Sequence, residues 1–192
     1  MSRAPFVLIL LALAGQAPAG ERPSEEEIGS VQVYLTPGEA LREIFEGVAA
    51  VDTVVAVLTP EDLREVHDRI GAAAPSDTVV VYRPRSAGGT VLGLAVIAEE
   101  IGKYRPITFL VGTGPDRTVR GVEVLVYRES RGGEVRRARF LRQYRGKDAG
   151  DPIRTNRDVL NVAGATLSVN AMNHGVKRVL VQLELLAARM DL

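Results

Sequence analysis

Cysteine is absent from the chain. Its absence excludes disulfides, cysteine-ligated zinc or iron–sulfur sites, a thiol nucleophile and a lipid anchor on cysteine. Histidine is scarce, with only His67 and His174, so a histidine-built metal or haem centre is not expected. Net charge is lacking as well. The 24 basic and 24 acidic side chains set up no overall field that would draw nucleic acid. No apolar run reaches the roughly 20 residues of a membrane span. No Ser/His/Asp arrangement is visible, and Gly112-Thr113-Gly114 lacks the Gly-Lys-Ser/Thr end of a phosphate loop. Hydrolytic catalysis has no support, and no catalytic residue is assigned.

What is present is a globular composition. The chain has 192 residues, 46% of them hydrophobic and 25% charged, enough for one domain with a real core. The N-terminus reads as an export signal. Arg3 supplies the positive end, Phe6 to Ala14 the apolar run, and Ala17-Pro18-Ala19 a small-x-small cleavage site. The expected location is periplasmic or otherwise extracytoplasmic. The alternative is an uncleaved N-terminal anchor. Residues 20–30, with Glu25, Glu26 and Glu27, read as a solvated lead-in, and residues 31–192 as a single domain.

Two helix openings follow. Thr36-Pro37-Gly38-Glu39 and Thr59-Pro60-Glu61-Asp62 both have capping-box spacing with proline at the first helical position. Leu41, Ile44, Phe45 and Val48 form one apolar stripe; Leu63, Val66 and Ile70 form another, stopped by Gly71. His67 sits among charged residues and reads as a surface side chain. Runs 53–58, 78–82, 90–98, 106–112 and 119–127 read as strands. Their short connections imply antiparallel neighbours. The run Val122-Glu123-Val124-Leu125-Val126 alternates only partly, as expected where one face is only partly solvated. A basic stretch, Arg128 to Lys147, contains Phe140, Leu141 and Tyr144 as the buried side of a short helix. It reads as a docking face for an acidic redox partner or as simple solvation. Residues 146–157 read as a loop. A last helix is expected from near Ser168, with Val176, Val179, Leu180, Leu183 and Leu186 as its apolar stripe. The fold class is α+β, a twisted antiparallel sheet with helices packed on it.

The stretch Val162-Ala163-Gly164-Ala165-Thr166-Leu167-Ser168 leads into that last helix. Small residues allow close approach to the backbone, and the amides at a helix start favour an anion. Thr166 is then a hydroxyl placed where a phosphate can be held or esterified. The plainer alternative makes Thr166 or Ser168 a helix cap.

This stretch resembles the attachment signature of the FMN-binding domain family, which includes flavin-bearing subunits of the sodium-pumping NADH:quinone oxidoreductase and of the Rnf complex. The pattern there is Asp-x-x-Ser/Thr-Gly-Ala-Thr with a small hydroxyl residue two positions on. Gly164, Ala165, Thr166 and Ser168 match; Leu160 and Ala163 depart, and Asp158 lies two residues too early. Two further segments are similar to the family. Gly102-Lys103-Tyr104-Arg105-Pro106-Ile107-Thr108-Phe109 resembles its Gly-Lys-x-x-Pro-Ile-x-Phe strand entry. Tyr127-Arg128-Glu129-Ser130-Arg131-Gly132-Gly133 resembles its His-x-Glu-Thr-Pro-Gly segment, with Tyr127 for His and Arg131 for Pro.

The resemblance implies an exported electron carrier with FMN joined to Thr166 by a phosphoester. It implies maturation by a flavin transferase, and exchange of electrons with a membrane or periplasmic redox partner. Gly132 and Gly133 would let backbone amides reach the flavin ring. Glu129 would accept from a ring N–H, hold its own loop, or pair with a neighbouring arginine. Ser130 supplies a nearby hydroxyl, and Lys103, Arg105 or Arg145 would add countercharge at the phosphate. Leu160 and Ala163 leave open a domain of the same fold that holds flavin non-covalently, or none at all. A ligand-binding or adaptor domain with only a helix cap at Gly-Ala-Thr also stays open.

The signal reading fixes one number in advance. Intact-mass analysis of the exported protein should find Gly20 as its first residue; a mature chain that still carries Phe6–Ala14 would favour the anchor instead.

Overall fold

A computed structural model describes residues 31–190; the export segment and the acidic lead-in lie outside them. The chain runs β1 (Gln32–Val33), α1 (Pro37–Ile44), β2 (Ala50–Val57), α2 (Pro60–Ile70), β3 (Thr78–Arg85), β4 (Leu94–Ile101), β5 (Pro106–Thr113) and β6 (Val119–Tyr127). A 3-10 turn (Gly133–Arg136), the short α3 (Ala138–Leu141) and a second 3-10 turn (Arg142–Tyr144) follow. The long α4 (Thr166–Met190) comes last.

Both expected capping boxes form. Thr36 Oγ1 accepts from the Glu39 amide at 3.3 Å while the Thr36 amide donates to the Glu39 carboxylate at 2.8 Å. Thr59 and Asp62 repeat the exchange at 3.2 and 2.7 Å. Each box satisfies orphan amides, which is worth about 1 kcal/mol. Gly71 closes α2 in the left-handed conformation, φ 78°.

The six strands form one sheet in the order β1-β6-β5-β4-β3-β2, every neighbour antiparallel. This is the α+β architecture expected from the sequence. Strand edges moved slightly: β3 runs on to Arg85, and β4 starts at Leu94 because Thr90 and Val91 complete the turn from β3. The helix expected near Ser168 begins two residues earlier, at Thr166.

The sheet is covered on both faces. On one, α1 sets Leu41, Ile44 and Phe45 against Ala95, Leu110 and Leu125. Gly112 and Gly121 face each other across β5 and β6 beneath it. A Cβ on Gly112 would stand 2.7 Å from Ile44 Cγ2, so the paired glycines form the seat of α1. The other face carries the larger core, built from Val66, Val96, Phe109, Val124, Phe140, Tyr144, Met172, Val176 and Leu183. β6 is therefore mostly buried on both faces, and its partial alternation reflects two cores.

The segment between β6 and α4 packs with that core. Phe140 and Tyr144 meet edge to face, with ring centroids 5.5 Å apart. Its basic residues do not form one stripe. Arg128 binds Pro106 O and Thr108, Arg136 lies over the Tyr34 ring, and Lys147 pairs with Asp158. No helix among the described residues is long and apolar enough to cross a membrane.

α4 is fastened to the sheet through a buried charge cluster. Arg178, 5% exposed, donates to Glu100 at 2.6 and 2.9 Å and to Glu99 O at 3.2 Å. His174 Nδ1 lies 3.1 Å from the other Glu100 oxygen. Burial pushes the Glu100 carboxyl up, but His174 and Arg178 outweigh it, and the net displacement is downward. A carboxyl held below its unfolded value stabilises the fold above that value and loses the contribution as pH falls. Urea midpoints should therefore drop as pH is taken below 4.5, the ordinary glutamate value. Glu100→Gln should flatten that limb and lower stability at neutral pH by about 1–3 kcal/mol. An unchanged acid limb would show that the cluster is not coupled to folding.

Candidate functional site

Three sequence segments meet at one corner of the fold. Tyr127 ends β6 with its ring buried, 2% exposed. Its hydroxyl donates to Arg131 O at 2.5 Å and lies 2.9 Å from Ser168 Oγ. A phenol has one proton. With that proton on the Arg131 carbonyl, the Ser168 hydroxyl donates to Tyr127. Burial pushes the Tyr127 phenol up to about 12, the Ser168 bond pulls against it, and Glu129 and Glu134 add to the rise. The phenol therefore stays protonated at neutral pH and keeps the latch intact.

Gly132 makes this latch possible. It sits at φ 85°, and a Cβ there would meet Ser168 Oγ at 2.5 Å and Tyr127 Oη at 2.6 Å. Gly133 opens the 3-10 turn against the Tyr127 ring. Ser130 is exposed at the bend. Glu129, 6% exposed, turns away from the latch toward the β4–β5 turn. Its Oε1 accepts from the Tyr104 and Arg105 amides at 2.6 and 2.9 Å. Of the roles open to Glu129, the structure displays that of loop holder, and it joins the second segment to the first. Lys103 is exposed on that turn, its ammonium 4.4 Å from the Tyr104 ring centroid.

The third segment starts α4. Gly164 is exposed at φ 79°, with open space where a Cβ would stand. Ala165 is buried and its carbonyl accepts from the Val169 amide at 2.8 Å. Thr166 is the first helical residue and is exposed. Its Oγ1 accepts from Asn161 Nδ2 at 2.9 Å. Ser168 turns inward to Tyr127, so the two hydroxyls of the motif have different tasks. Ser168 anchors the helix start, and Thr166 is presented outward.

Asn161, the hydrogen-bond partner of Thr166, lines a cavity of about 340 Å³. Phe140, Leu160, Val162 and Ala163 give it apolar wall, Asn161 and Glu134 polar edges, and Arg137 and Arg139 positive charge. Gln143 fixes one wall: its Oε1 accepts from Leu160 N at 2.7 Å and its Nε2 donates to Leu160 O at 3.4 Å. Sequence reasoning missed these residues as a site. They come from two stretches about twenty residues apart, and only their packing joins them. Conversely, Glu129, Ser130, Gly132, Gly133 and Lys103 do not line this cavity; they build the corner that holds it.

Arg145 is not brought to Thr166. It lies against Val119 and Arg120 at the start of β6, about 26 Å along the strand from Tyr127. Asp158 has a different role from an attachment-motif aspartate. It accepts from Ile153 N, Arg154 N and Lys147 Nζ at 3.0, 2.7 and 2.9 Å and ties the 153–159 loop. Burial pushes its carboxyl up, and these donors bring it below the ordinary aspartate value. Leu160, at the motif position, is 71% exposed.

The residues fit FMN by chemistry. An anionic phosphate suits the amino end of α4 by about 0.3–1 kcal/mol, and the cavity falls within the volume range of cofactor sites. Among known proteins, residues 102–181 match the FMN-binding domain. That span includes all three segments. A crystal structure of NqrC from Shewanella oneidensis superimposes with a TM-score of 0.49 at 18% identity, covering 75% of this chain and 83% of that one. No curated protein matched.

Proposed function

We propose, from the match of residues 102–181 to the FMN-binding domain, that the chain is an exported electron carrier with FMN joined to Thr166 by a phosphoester. One observation carries the reading: an exposed Thr166 hydroxyl at the first position of a long helix, joined through Asn161 to a cavity with an apolar wall. When bound, the flavin supplies one- and two-electron redox chemistry.

The chain's own residues bind and orient. Asn161 steers the Thr166 oxygen through its Nδ2 hydrogen bond. The free amides of the first helical turn would hold a phosphate. Phe140, Leu160 and Val162 would offer a planar ring an apolar wall, and Arg137 and Arg139 would add positive charge beside it. Export accords with the apolar run and Ala17-Pro18-Ala19 at the N-terminus. A flavin transferase is the maturation partner, and a membrane or extracytoplasmic redox protein is the exchange partner.

The second reading, non-covalent flavin, is favoured by the exposed Leu160 and by Ala163, which put no acid or hydroxyl at two attachment-motif positions. One experiment separates the two. The protein is co-expressed with an active flavin transferase, exported, denatured and run for in-gel flavin fluorescence with intact mass. A fluorescent band at the mass of one added FMN less water, lost in Thr166→Val, is the expected result. Flavin released on denaturation supports the non-covalent reading. A fluorescent adduct retained in Thr166→Val would overturn the attachment site.

A further inference from the structure

A second cavity, about 330 Å³, is lined in part by residues 152–155 and shares no lining residue with the one that Asn161 lines. Its wall on α4 is Asn170, Asn173, His174 and Lys177, spaced i, i+3, i+4 and i+7 and therefore on one helical face. Arg69 from α2 and Arg154 and Thr155 from the loop close it.

The hydrogen bonds around it have a fixed direction. Tyr144 Oη donates to Asn173 Oδ1 at 2.7 Å, and Asn173 Nδ2 donates to Thr155 Oγ1 at 2.9 Å. Thr155 then donates to Asn170 Oδ1 at 2.6 Å. The chain of bonds ends there and leaves the Asn170 amide N–H groups for another acceptor. Lys177 Nζ donates to Ala149 O and Asp151 O, both at 2.5 Å, which leaves its third proton. Arg154 is exposed and makes no ion pair among the described residues. Acidic groups are close: Asp148, Asp151 and Glu184 act on Lys177. Glu184 takes Arg69 at 2.6 Å, and Glu100 takes His174 at 3.1 Å. The wall carries no carboxylate; its charged side chains are Arg69, Arg154 and Lys177, beside the neutral Thr155, Asn170 and Asn173. Burial and the Arg69 charge push the Lys177 ammonium down, while Asp151, Asp148 and Glu184 pull it the other way.

We propose that this cavity binds an oxyanion, the phosphoryl or carboxylate group of a small ligand, between Arg154, Asn170 and Lys177. The inference does not rest on the flavin reading, because no residue of that site takes part.

The test is a titration of the purified protein with inorganic phosphate and, separately, with malonate, at ionic strength held constant with chloride. Backbone amide shifts provide the readout. Saturable shifts at Thr155, Asn170 and His174 are expected from at least one of the two, and their relative affinity assigns the group. Arg154→Gln should weaken binding about tenfold. Its Tm should be unchanged, since the Arg154 side chain holds nothing in place. Shifts that never saturate, that centre on Gly164–Leu167, or that are the same in Arg154→Gln would overturn the proposal.

Discussion

The hydrogen bond between Tyr127 and Ser168 is the contact on which the rest of the corner depends. It spans 41 residues of chain and ties the last sheet residue of β6 to the first turn of α4. Its partners have no freedom to exchange, because the single phenolic proton is spent on Arg131 O. Glu129 extends the same junction to the β4–β5 turn through two amide bonds. Buried polar groups joined in this way are costly to separate, since breaking one bond leaves its partner unsatisfied.

The latch decides where Thr166 points. In an α-helix, residues two apart lie on opposite sides. With Ser168 drawn inward to Tyr127, Thr166 must face outward, where Asn161 meets it. The same junction sets the 3-10 turn at Gly133 and so places Glu134, Arg137 and Phe140 along the cavity. Fold and site are thus linked by one local constraint. The Arg178–Glu100 cluster further along α4 supports it by holding the helix against β4.

Much of this was legible in the sequence because its causes are local. Capping boxes at Thr36 and Thr59, the Gly71 stop and the antiparallel order of β3 to β6 all follow from short-range pattern. The Gly164–Ser168 stretch announced a helix start with an outward hydroxyl. What could not be read depends on long-range packing. Tyr127 looked like a substitution in a motif, whereas its phenol is the latch. Gly132 looked like a point of access for a ring, whereas its missing side chain makes room for that latch. Arg145 belonged to a basic run in sequence, yet the chain after α3 carries it to the opposite end of β6 from Tyr127. The cavity wall at Phe140 and Leu160 exists only once Gln143 clamps the Leu160 backbone, a contact between residues 17 apart.

The most direct test is a double-mutant cycle in urea on Tyr127→Phe and Ser168→Ala. The account predicts that the two losses are not additive, with a coupling energy of about 1 kcal/mol. The double variant should then be little worse than the poorer single one. Strictly additive losses would contradict it, and would mean that the start of α4 is held by packing alone.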